Sequence, residues 1–180
     1  MALRITRYGE EILRKKAVKV ERFTPELRKL AQDMLVTMAA ANGVGLAAEQ
    51  VGETCAMCVI DVPAECERKE CVDFNKAIAM PLVMVNPKIT ASEGRQRNEE
   101  GCLSFPDIGA PITRAMQVTA RYQDLDGAEH EITAQGLLAR AIQHELDHLD
   151  GVLLVDRMSQ LQRVAVAGQL RRLQKQSRAG

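Results

Sequence analysis

His144, Glu145 and His148 stand in the order His-Glu-x-x-His. On a helix, residues four apart lie one turn apart on one face, so both imidazoles can reach a single metal ion. Glu145 falls between them and the core side, where a carboxylate can touch whatever else the metal holds. Two histidines leave such a site incomplete, because catalytic sites use three protein ligands and one open position. A peptidase built on this helix takes its third ligand from a downstream His or Glu on another helix. This chain has three histidines, and the remaining one, His130, is upstream. Asp150 and Asp156 are downstream carboxylates, at a helix end and in a loop. Cys102, beside Gly101, is the alternative: a thiolate is a soft ligand suited to iron or zinc, and the glycine lets the backbone approach closely.

A second segment with chemical potential runs over residues 43–50, from Gly43-Val44-Gly45 to Gln50. Its two glycines allow a turn that passes close to a bound substrate. It lacks the Lys-Ser/Thr ending of a phosphate loop.

The elements that must position these residues are legible in outline. Thr24 is a good N-cap, Pro25 suits the first helical position, and Leu27, Leu30, Ala31, Met34, Leu35 and Met38 recur at helical spacing until Asn42-Gly43. Residues 55–61 and 81–86 read as strands. Residues 117–124 and 129–134 flank Asp126-Gly127, which predicts a hairpin. Residues 135–149 form the helix that carries the histidines, with Leu138, Ala141, Ile142, Leu146 and Leu149 as its apolar stripe. Residues 152–155 read as a short strand, and the charged stretch 63–76 as a surface loop. Ser159 caps a last helix, one side of which is formed by Leu161, Val164, Ala165, Gly168 and Leu173. Strands between helices without βαβ alternation predict the α+β class.

The 180 residues fit one ordinary domain, with 46% hydrophobic and 27% charged residues, a globular composition. Aromatics are only 3%, so the core must be aliphatic. No apolar run approaches the roughly 20 residues of a membrane span. The net charge is zero, which argues against binding of DNA by the protein as a whole. The balance is uneven. Six basic residues (Arg157, Arg163, Arg171, Arg172, Lys175, Arg178) and no acidic ones follow Asp156; the residues before them hold the other 18 basic and all 24 acidic ones. The chain therefore divides into an acidic body, residues 1–157, and a basic extension, residues 158–180. Five cysteines without a secretion signal suggest a reducing compartment. Cys55, Cys58, Cys66 and Cys71 read as packed or loop thiols.

Three segments together resemble the peptide deformylases: residues 43–50, then Glu100-Gly101-Cys102-Leu103-Ser104, then Gln143 to His148, in that order. Gly136-Leu137-Leu138 belongs to the same resemblance, which covers residues 3–157. It implies mixed and antiparallel sheets around a central metal-binding helix, and a metal-dependent hydrolase that removes the N-formyl group from the initiator methionine of new chains. It also implies Cys102, His144 and His148 as ligands of Fe²⁺, with Zn²⁺ or another divalent ion as a replacement. Glu145 is the implied proton carrier, and the Gln50 side chain and Leu103 N–H the oxyanion donors. Gly43, Val44, Gly45 and Glu100 are expected at the substrate, with Leu137 and Ala141 lining a pocket for the methionine side chain. Arg140 departs from the apolar residue of some members, Gly109 from an Arg, and Arg114-Ala115 from a common Arg-Pro. The implied partners are N-formylmethionyl nascent peptides and, through the basic tail, the ribosome; the expected setting is the bacterial cytoplasm.

Overall fold

The structure, a computed structural model, describes residues 1–179. After a single 3-10 turn at Glu11–Arg14, the chain forms α1 (Pro25–Ala40), β1 (Gly45–Ala47), a 3-10 turn (Ala48–Val51) and β2 (Met57–Ile60). A short 3-10 turn (Ala64–Cys66) and α2 (Lys69–Asn75) lead to β3 (Leu82–Glu93), β4 (Gln96–Cys102), β5 (Phe105–Arg114), β6 (Gln117–Gln123) and β7 (Glu129–Gln135). Three helices end the chain: α3 (Gly136–Leu149), α4 (Leu154–Arg157) and α5 (Gln160–Ala179).

The expected α+β class is what the chain adopts, with α3 at its centre. A five-stranded sheet runs β1-β2-β3-β6-β7, and β4-β5 form a separate two-stranded sheet. All ladders are antiparallel; the parallel pairing described is a single bridge, Val18 to Cys55. β2 shows how the layers form. Its side chains alternate between faces. Cys58 and Ile60 meet α3 through Leu138, Ala141 and Ile142. Met57 and Val59 meet α1 through Leu27, Ala31, Met34 and Met38. Both faces are covered, so the strand reads as an unbroken apolar run rather than an alternating one.

The β4-β5 hairpin has its own core. Phe105, Ile108, Ala110 and Ile112 pack with Leu153, Leu154, Val155, Met158 and Leu170. Here three expectations change. Residues 152–155 form no strand: Asp156 accepts a hydrogen bond from the Leu153 N–H at 2.8 Å and starts α4, whose Leu154 and Val155 are buried. The apolar run reflects burial and not strand pairing. The loop expected at 63–76 holds α2. On α5, Val166, Leu170 and Leu173 pack inward, while Leu161 and Val164 are exposed; the buried stripe follows i, i+4, i+7 from Val166. Ser159 caps this helix as expected, accepting from Gln162 N at 3.2 Å while Gln162 accepts from Ser159 N at 2.7 Å. No helix among the described residues is long and apolar enough to cross a membrane.

Candidate active site

A cavity of about 680 Å³ opens between β1, the β4-β5 hairpin and α3. Its lining brings together Gly43, Val44, Gly45, Gln50, Glu100, Cys102, Leu103, Leu137, Ala141, His144 and Glu145. His148 stands directly behind it, buried against His144.

α3 supplies both histidines from one face, because their spacing is one turn. The end of β4 supplies Cys102, just before the two-residue turn Leu103-Ser104 that joins it to Phe105. The ligand atoms of Cys102, His144 and His148 all lie within 4.8 Å of one another. His148 Nε2 is 3.2 Å from Cys102 Sγ and 3.2 Å from His144 Nε2. His144 Nδ1 sits 2.6 Å from Glu100 Oε1, which leaves Nε2 to face the other two atoms. One soft sulfur and two imidazole nitrogens, buried and converging, fit a divalent transition-metal ion.

A second layer fixes these groups. Glu100 accepts from Arg114 at 2.6 and 3.2 Å, and Arg114 reaches on to Asp147 at 2.5 Å. Arg157 also donates to Asp147. Burial alone raises the Glu100 pKa, but the hydrogen bonds from His144 and Arg114 outweigh it and bring it down to about 2. Glu100 thus lines the cavity while its carboxylate is engaged by His144 and Arg114. Sequence reading missed Arg114 and Asp147 as parts of the site. The available signal was the place of Asp147 beside His148 and of Glu100 two residues before Cys102.

Glu145 lies in the cavity wall against β1. A Cβ at Gly45 would come 2.2 Å from Glu145 Oε1, so only glycine lets the carboxylate and the strand meet. Glu145 Oε2 is buried without a hydrogen-bonding partner. Burial pushes this carboxyl up to about 7, with the His144 charge pulling the other way. Gln50 is held at both ends of its amide. Its Oε1 accepts from Ala47 N at 2.9 Å, and its Nε2 donates to Ser104 Oγ at 3.1 Å, with Cys102 Sγ at 3.5 Å.

β1 is an edge strand. The Val44 carbonyl is already taken, since it accepts from Asp61 N at 2.9 Å. Alternation along the antiparallel ladder then turns the Gly45 N–H and C=O to the open side, toward the cavity. Arg140 also lines the cavity, and its Nη2 donates to Glu99 O at 2.9 Å. Cys58 and Cys71 are buried, Cys66 is exposed and Cys55 lies between, all as free thiols.

Glu49, beside Gln50, is fully buried, and neither carboxylate oxygen has a partner from another residue. Burial pushes its pKa up to about 8, with the charges of Glu145 and Asp150 adding to the rise. Between the usual carboxylate range and pH 8, the folded chain holds a proton that the unfolded chain has lost. Stability contributed by this group is therefore greatest at low pH and falls as pH rises through that window. Measured by urea unfolding, wild type should lose about 2–4 kcal/mol relative to Glu49→Gln between pH 5 and pH 8. Parallel curves for the two proteins would show that Glu49 does not titrate there.

A family model described as polypeptide deformylase matches residues 2–164. The chain is 41% identical to the peptide deformylase of Opitutus terrae, over 99% of this chain and 96% of that protein. It is 44% identical to that of Acidobacterium capsulatum, over 98% of this chain and 96% of that protein. The crystal structure of a peptide deformylase from Legionella pneumophila superposes with a TM-score of 0.83 at 37% identity, covering 100% of this chain and 99% of that one.

Proposed function

The chain belongs to the polypeptide deformylase family, hydrolases that remove the N-formyl group from new polypeptides, and from that premise we propose how its residues divide the work. Cys102, His144 and His148 would hold the metal, and the convergence of their donor atoms is the observation that carries the reading. We assign the ion as Fe²⁺, with Zn²⁺ or another divalent ion able to replace it, because one thiolate and two imidazoles suit both. When bound, such an ion lowers the pKa of water and so supplies a nucleophile near neutral pH.

The remaining steps belong to the chain. A formylated peptide enters extended along β1, where the outward N–H and C=O of Gly45 take it as an added strand. Leu137 and Ala141 offer an apolar wall to the methionine side chain. As water attacks the formyl carbon, Glu145 accepts its proton at Oε2, the oxygen with no other partner. The same carboxyl then gives the proton to the departing amine, so formate and a free α-amine leave. Gln50 Nε2 and the Leu103 N–H donate to the carbonyl oxygen as it gains charge. Because Ala47 and Ser104 already hold the Gln50 amide in place, it needs no reorganisation during the reaction.

Formate release from formyl-Met-Ala, run beside an unblocked oligopeptide on protein purified without oxygen, tests the reading. Release from the first alone is expected. Cleavage of the second without formate from the first would make the protein a peptidase. Gln50→Ala should lower kcat by about 10²–10³ while changing KM less; an effect on KM alone would reassign Gln50 to ground-state binding.

Residues 1–157 would form the catalytic unit and 158–180 a basic helical extension. Its five positive charges, with no acidic side chain among them, favour contact with ribosomal RNA, and co-sedimentation with ribosomes at low salt, with and without the residues after Met158, reads this out. Such a role fits a bacterial cytoplasm.

A further inference from the structure

The segment between β2 and β3 lies against the start of α3. Gln135, the N-cap of α3, offers its first turn no side-chain hydrogen bond. Glu67 supplies the missing acceptor from 70 residues away. Its Oε2 accepts from the Leu137 N–H and, at 3.3 Å, from the Leu138 N–H, while its Oε1 accepts from Arg68 N at 2.9 Å. A carboxylate at this end also favours the helix dipole. Asn75, the last residue of α2, grips the residue just before the helix: it donates to Gln135 O at 3.1 Å and accepts from Gln135 N at 3.0 Å. Gly136 lies between the two contacts at φ +65, and a Cβ there would come 2.6 Å from both Glu67 oxygens and 2.7 Å from Cys71 Sγ. The backbone conformation and the approach of the carboxylate both demand glycine.

Leu137, whose N–H Glu67 holds, lines the cavity, with Ala141 one turn further and His144 nearly two. We infer that Glu67, with Asn75, is a positioning residue that fixes the Leu137 wall of the substrate pocket and thereby sets how well the first side chain of the substrate is discriminated. The inference rests on the deformylase reading above. It gives the segment 63–76 a part in specificity, although none of its residues lines the cavity.

The test compares formyl-Met-Ala with formyl-Ala-Ala, whose first side chain is too short to fill the pocket. In Glu67→Ala, kcat/KM for formyl-Met-Ala should fall about 5- to 20-fold, mostly through KM, while the value for formyl-Ala-Ala changes less than about 2-fold. Metal content should stay whole. Glu67→Gln keeps an acceptor oxygen and should recover most of the discrimination. If Glu67→Ala does not fold, Asn75→Ala carries the same comparison, with a smaller loss expected. An unchanged ratio between the two substrates, or an equal loss on both, overturns the inference. Absence of formate release by the wild-type protein overturns the deformylase reading instead, so the two failures are distinct.

Discussion

Glu145→Gln is expected to keep its full complement of metal and to lose about 10²–10⁴ in kcat. The substitution preserves shape: one side-chain atom still meets Gly45, and the packing of α3 is undisturbed. It removes the ability to accept a proton at the position of Oε2, the buried oxygen that has no other partner. Glu100, the carboxylate that meets His144, is engaged by His144 and Arg114 and so is not free to take the proton. Formate release and metal analysis on the same sample decide the matter. Near-normal turnover would assign the proton transfer to another group.

His148→Ala should abolish both stoichiometric metal and activity, and His144→Ala should do the same. Either change leaves one imidazole and one thiolate, too few to hold a catalytic ion, which ordinarily needs three protein ligands. Cys102→Ser should shift metal preference or abolish turnover, because a hydroxyl is a far weaker ligand than a thiolate. Metal analysis after dialysis checks occupancy directly. Full metal and full turnover in His148→Ala would remove the site from this part of the molecule.

The parts of the fold that could be read from sequence are those whose causes are local. Thr24 and Pro25 mark the start of α1 by caps that act within one turn. The Asp126-Gly127 turn joins β6 to β7 as expected, with Gln117 paired to Gln135 at the far end. The spacing of His144 and His148 fixes their common face whatever surrounds the helix. The parts that stayed hidden depend on distant partners. β4 is rich in charged and polar side chains and shows no apolar pattern; it is a strand because β5 lies beside it. Arg114 gave no sign of its role, since its significance comes from meeting Glu100 and Asp147 in space. Glu67 looked like one more charge in a charged loop, because the helix end it serves lies far along the chain. Residues 152–155 were misread because burial and strand pairing select the same apolar residues.

Cys102 stands on the small hairpin sheet, which has its own cluster of apolar side chains, whereas His144 and His148 ride on the helix packed over the large sheet. An ion held by all three ties these two bodies together across 46 residues of chain. A cross-link closing a loop of that size restricts the unfolded chain by about 4 kcal/mol in the chain-entropy model. The reactive centre would then double as a rivet. Loading it would tighten the whole fold, and protein stripped of the ion should be more open to proteolysis.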